Sequence, residues 1–190
     1  MVSTLPDDRP LTVNDLEGLP DDGARYELIW GELYVSPTPN TRHQRASTRL
    51  LVAIDGFLAR NNAGEVFHAP LYVQFDRHNL VQPDLVVVGA EKCEIIHDTG
   101  VVGAPDLCIE ILTPGRRNFD FIKKNVLYAR YGVPEYWVVD AERERIAVHV
   151  RGTNRYEPQE SDDRVARSVI FPGLEIDPRG IASPPEGAKL

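Results

Sequence analysis

The most constraining feature is the run Asp106-Leu107-Cys108-Ile109-Glu110-Ile111-Leu112, nearly continuous in apolar residues and broken by one glutamate. A short apolar run of this kind reads as a strand buried on both faces. A second run, Leu85-Val86-Val87-Val88, has the same character. Strands covered on both faces need helices or a second layer packed over them. Leu50, Leu51, Ile54, Phe57 and Leu58 supply one helical stripe, ended by Asn61–Gly64. The segment Phe119–Tyr131 supplies another, stopped by Gly132-Val133-Pro134. The fold class expected is α/β, or α+β, with a central mixed β-sheet flanked by helices.

Around this core the pattern is shorter. Tyr26–Val35 reads as a β-hairpin turning at Trp30-Gly31, which pairs Ile29 with Glu32. Alternation then puts Glu27 and Glu32 on one face. Further strands are expected at Val66–His68, Leu71–Phe75, Tyr136–Val139, Ile146–Val150 and Val169–Phe171, with a turn at Arg77–Asn79. Gly89–Gly103 is polar and poorly patterned, with one helical turn at Glu91–Ile96. The organisation expected is an N-terminal segment at 1–20, one domain at 21–176 and a tail at 177–190.

Composition limits the class of function. The 190 residues are 42% hydrophobic and 26% charged, ordinary for a soluble domain able to bury a core. No apolar run is long enough to span a membrane, and the acidic N-terminus has no hydrophobic signal region. Cys93 and Cys108 form no C-x-x-C pair, so a reducing cytoplasm is the expected compartment. Lys and Arg number 21 against 29 Asp and Glu, a net charge of −8. That balance argues against a DNA-packaging protein coated in basic surface, but not against a nuclease, whose site needs clustered carboxylates.

Three residues occur in a suggestive order. Gln82-Pro83-Asp84 stands at the head of one buried strand, and proline is tolerated at a strand's first residue. Glu110 lies inside the other, where a carboxylate is costly unless paired or metal-bound. Lys124 is on the helix that follows. Two carboxylates from neighbouring strands suit a hard divalent cation that keeps several waters, and a nearby lysine suits growing charge on a phosphate. Together they fit phosphodiester hydrolysis. Singly, each has a bland counterpart. Pro83-Asp84 is a common strand-start dipeptide, Glu110 could face solvent, and Lys124 could be a surface lysine like its neighbour Lys123.

The chain resembles the Uma-two family of restriction-endonuclease-like bacterial proteins, within the PD-(D/E)XK nuclease superfamily. The likeness rests on Tyr26–Leu33, Arg42-His43-Gln44, Gln82–Leu85, Glu110–Pro114, Asp120 with Lys124 and Tyr128-Ala129, and Gly132–Asp140. It spans roughly residues 11–150. The resemblance implies a restriction-endonuclease-like core and Mg²⁺- or Mn²⁺-dependent cleavage of DNA. It assigns Asp84 to the PD aspartate and Glu110 to the acidic position, and makes the backbone carbonyl of Ile111 a further metal ligand. Leu112 stands where the superfamily lysine usually sits, and Lys124 looks like that lysine migrated to the following helix. Glu27 is expected near the metal as an auxiliary acid, with Glu32 the next choice. His43 is assigned to phosphate or metal, with a helix-start cap as the other reading. Arg116 and Arg117 are candidates for bidentate phosphate contact. A homodimer suits cleavage of both strands. The competing readings are a nuclease-fold protein that binds nucleic acid or a partner without cutting, and a structural or interaction domain.

Overall fold

Trp30 and Gly31 both take positive φ, 57° and 74°. This is the mirror-image turn whose twist matches the strands it joins. A Cβ on Gly31 would sit 2.6 Å from Pro10 Cβ, so the position also needs glycine for space. The turn links β1 (Arg25–Ile29) to β2 (Glu32–Ser36), with Ile29 opposite Glu32 as the sequence predicts. The computed structural model describes residues 6, 9–20, 22–36, 38–113, 119–153, 155–159 and 164–184, without the side chains of 119–121.

Helix α1 (Thr41–Asn61) follows, capped by Asn40, whose Oδ1 accepts from His43 N at 2.9 Å. Next come β3 (Gly64–His68), β4 (Val73–Asp76), β5 (Asn79–Val81) and β6 (Leu85–Gly89). A 3-10 helix (Ala90–Ile95), β7 (Ile96–His97) and β8 (Gly100–Val102) lead to β9 (Leu107–Ile111) and α2 (Phe119–Tyr131). The remaining strands are β10 (Glu135–Asp140), β11 (Arg145–Arg151), β12 (Tyr156–Gln159), β13 (Ala166–Arg167) and β14 (Glu175–Ile176).

The expected single sheet is two. One has the order β2-β1-β5-β4-β8-β7 and the other β12-β11-β10-β9-β6-β3, and β13-β14 form a small ribbon. Both large sheets are mixed, with β9–β10 parallel in one and β4–β8 parallel in the other. The mixed α/β architecture and the N-terminal hairpin agree with the expected class. The Gly89–Gly103 segment holds β7 and β8, and the expected Arg77–Asn79 turn closes the β4–β5 hairpin. Val169–Phe171 is not a strand. The amides of Val169 and Ile170 donate to Glu135 Oε2, at 2.7 and 3.1 Å, instead of joining a ladder.

Alternation along the second sheet sorts its two faces. Leu85, Val87, Leu107, Ile109, Ile111, Trp137 and Val139 share one cluster with Leu50, Ile54 and Leu58 of α1. Val86, Val88, Cys108, Tyr136 and Val138 share the other with Leu127 and Tyr128 of α2 and with Ile29, Val73 and Val81 of the first sheet. Truncating a buried leucine such as Leu50 or Leu58 to alanine costs about 2–5 kcal/mol in such surroundings. Leu28, between Glu27 and Ile29, turns the opposite way, into a third cluster with Leu11 and Leu80. Arg25, Glu27 and Ile29 therefore face inward, between the two sheets. Among the described residues no helix is long and apolar enough to cross a membrane.

Candidate functional site

The register of β6 against β9 places Leu85 opposite Ile109, which brings Asp84, just before β6, level with Glu110 near the end of β9. The end of this sheet is closed by β1 on one side, the first turn of α1 on another and α2 above. Each contributes a side chain.

Asp84 is buried, 2% exposed. Its Oδ1 accepts from Arg25 Nη1 at 2.6 Å, and its Oδ2 from the Ile111 amide at 2.7 Å. His43 Nε2 lies 3.0 Å from the same Oδ2. Burial alone would raise the Asp84 pKa, but the hydrogen bond and charge of His43, the charge of Arg25 and the Ile111 amide outweigh it. The carboxyl is held below its ordinary value. Glu110 behaves in the opposite way. Burial pushes its pKa up to about 7, with Asp84 and Glu27 adding repulsion and Lys124 opposing.

Lys124 Nζ bridges the two sheets, 2.9 Å from Glu110 Oε1 and 2.8 Å from Glu27 Oε1. Burial disfavours the ammonium, yet Glu110 and Glu27 more than compensate and raise its pKa. Tyr128, one turn beyond Lys124, donates to Glu110 Oε1 at 2.7 Å. Glu27 Oε1 also accepts from the Gln82 amide at 2.7 Å, which fixes the approach to Pro83-Asp84.

Asp84, Glu110, Lys124, Glu27, Ile111 and His43 thus meet at one place. His43 is not the helix cap, a role Asn40 fills. Glu27 touches Lys124 rather than Asp84. Glu32 is exposed and pairs with Lys123 at 3.0 Å, away from the cluster despite sharing a face with Glu27. Lys123 does not point freely to solvent, since its ammonium lies over the Tyr34 ring, 4.4 Å from the centroid. Arg116 and Arg117 lie outside the described residues.

Sequence reasoning missed Arg25 and Tyr128. Both had a signal. Arg25 is two residues before Glu27 on a strand, hence on the same face. Tyr128 is four residues after Lys124 on a helix, hence beside it.

Among the described residues, no three or more His, Cys, Asp and Glu side chains gather as a metal cluster. The donors do fit a hard divalent ion that takes two carboxylates and keeps its waters. Glu110 carries a carboxyl destabilised as an anion, which an added cation would relieve. In a strand the amide and carbonyl of one residue point to the same edge, so the Ile111 carbonyl shares the edge of its amide, toward Asp84.

Residues 13–179 match the family model Uma2, described as "Putative restriction endonuclease". The chain belongs to the Uma2 family. A crystal structure described as a putative nuclease belonging to DUF820 from Anabaena variabilis ATCC 29413 superposes with a TM-score of 0.75. It is 20% identical, with 92% of this chain and 98% of that chain covered, so the likeness is one of fold. No curated protein matches the chain. The family resemblance seen in the sequence from residue 11 to 150 holds and reaches to 179.

Proposed function

We propose that this Uma2 protein is a metal-dependent endonuclease that hydrolyses phosphodiester bonds of DNA. The observation that carries the reading is the meeting of Asp84, Glu110 and Lys124 at one sheet end, with Lys124 Nζ 2.9 Å from Glu110 Oε1. Asp84 and Glu110 are the residues that would hold Mg²⁺ or Mn²⁺, with the Ile111 carbonyl as a further ligand. Such an ion, when bound, polarises the phosphodiester and lowers the pKa of a coordinated water.

The chain's own groups do the rest. His43 and the Ile111 amide orient Asp84. Glu27 holds Lys124 from the far side, acting as a positioning residue. Lys124, kept charged by two carboxylates, steadies the attacking water or the charge growing on the phosphate. Tyr128, whose hydroxyl burial keeps protonated first and Glu110 second, donates to Glu110 and fixes its orientation. Arg116 and Arg117, between Glu110 and Lys124 in sequence, are our choice for phosphate contact. Two copies of the chain would supply the two sites that a double-strand cut needs, and the cytoplasm is the compartment we assign.

The test is cleavage of plasmid DNA in Mg²⁺ by the wild type and Asp84→Asn. The substitution keeps shape and removes the metal-holding charge. Cleavage should fall at least about 100-fold, the cost of a main electrostatic contribution. Undiminished cleavage would place the chemistry elsewhere. DNA binding without cleavage by the wild type would favour the silent, nucleic-acid-binding reading, which the net charge of −8 leaves with a narrow basic footprint.

A further inference from the structure

Asp84 carries an unusual set of partners for a residue expected to hold a metal. An ionised carboxylate offers about four acceptor positions, two on each oxygen. On Oδ2 both are taken, by His43 Nε2 and the Ile111 amide. On Oδ1 one is taken, by Arg25 Nη1 at 2.6 Å. The remaining acceptor position is therefore on Oδ1, beside a guanidinium.

We propose that Arg25 changes partner: it neutralises Asp84 when no metal is bound, and contacts the DNA phosphate when one is. The inference rests on the metal-site reading above and adds a substrate-contacting residue to it. A cation arriving on Oδ1 meets the Arg25 charge at the same atom, and like charges at that range repel strongly. The arginine side chain is 18% exposed and that of Asp84 3%, so its path of release is toward solvent. Charge balance points the same way. With Glu110 ionised, as metal binding requires, Asp84, Glu27 and Glu110 stand against two permanent cations, Arg25 and Lys124, and leave one negative charge. A divalent ion turns that into one positive charge, the complement of a phosphodiester. A guanidinium presents a fork suited to phosphate oxygens, so the released group has a partner in the substrate.

Two titrations test it. In the first, free Mn²⁺ is followed by electron paramagnetic resonance for the wild type, Arg25→Gln and Asp84→Asn. Arg25→Gln should bind Mn²⁺ about tenfold more tightly than wild type, because a competing cation is gone. In the second, Ca²⁺ replaces the active ion, and binding of a DNA duplex is followed by anisotropy at several salt concentrations. There Arg25→Gln should weaken binding and lower the salt slope by about one, the value of one phosphate contact. Should the glutamine variant not fold, Arg25→Met, which keeps much of the apolar stem and removes the charge, should likewise bind Mn²⁺ about tenfold more tightly. Equal or weaker Mn²⁺ affinity in the variant that folds, or an unchanged salt slope in Arg25→Gln, overturns the proposal. Asp84→Asn separates the two levels. If it binds Mn²⁺ like wild type, the metal-site reading itself fails. If it loses Mn²⁺ while the Arg25 variant matches wild type, only the exchange of partners fails.

Discussion

Two carboxylates of the same sheet, the partly buried Glu110 on β9 and the fully buried Glu135 on β10, meet opposite fates. Glu135 is 0% exposed and is satisfied wholly by neutral donors. Trp137 Nε1 donates to its Oε1 at 2.6 Å, and the Val169 and Ile170 amides to its Oε2. These donors are backbone amides and a core indole, with no long cationic side chain among them to change partner. Glu110 is held by Lys124 and Tyr128, and its neighbour Asp84 by Arg25, His43 and an amide. One end of the sheet uses a carboxylate to tie down the backbone of a distant segment. The other gathers carboxylates around long cationic side chains that can change partner. Burial of an acid is thus no mark of a site. The mark is the kind of donor that compensates it.

The largest effect should come from removing the cation between the sheets. Lys124→Met leaves Glu27 and Glu110 facing each other without their shared ammonium. Breaking a buried pair from one side costs about 3–5 kcal/mol, to be measured by urea denaturation at pH 8. A loss below about 1 kcal/mol would mean that the two carboxylates do not depend on Lys124. Next, Glu135→Gln turns an amide NH₂ toward donors that need an acceptor. Its cost is about 1–3 kcal/mol of stability, and Mn²⁺ affinity should not change. If that variant lost metal binding while keeping its fold, the contrast between the two carboxylates would collapse.

The sequence revealed one of these carboxylates and not the other, for a physical reason. Glu110 interrupts an apolar run, so its cost is visible in one dimension. Glu135 sits at the mouth of a strand after Pro134, where an acid looks ordinary. Its partners at Val169 and Ile170 are more than thirty residues away. The same distance hides the fate of Val169–Phe171, whose β-branched residues suggest a strand but whose Val169 and Ile170 amides cap Glu135. Local patterns were legible where one element decides them: the Trp30-Gly31 turn, the Leu50, Ile54 and Leu58 stripe, and the ends of α2 at Phe119 and Tyr131. The three-residue β5 was not, because it is held by tertiary pairing, with Asn79 Oδ1 accepting from Trp30 N at 2.7 Å. In the site, Asp84, Glu110 and Lys124 were visible in their order along the chain, while Arg25 joins them only once the hairpin is folded over them.

A smaller effect sharpens the comparison at adjacent helix positions. Lys123 pairs with Glu32 at the surface, with side chains 26% and 66% exposed. Lys123→Ala should leave the urea midpoint nearly unchanged, in contrast to Lys124→Met, because a solvent-exposed pair contributes little. Equal losses would show that burial does not set the value of these two lysines.

The most direct measurement is a Mn²⁺ titration by calorimetry at a series of pH values between 5.5 and 8, on the wild type and Glu110→Gln. Glu110 has its folded pKa raised to about 7, above its unfolded value, so the folded protein holds the extra proton in the window between them. Its proton-bound stabilisation is full below the unfolded pKa and fades as pH rises through about 7. A metal must displace that proton. Wild-type affinity should therefore rise about tenfold per pH unit below 7 and level off above it, with proton release on binding. Glu110→Gln should bind at least about 100-fold more weakly, with that pH dependence gone. Equal affinity and the same pH profile in both proteins would contradict the account, because Glu110 would then hold no metal.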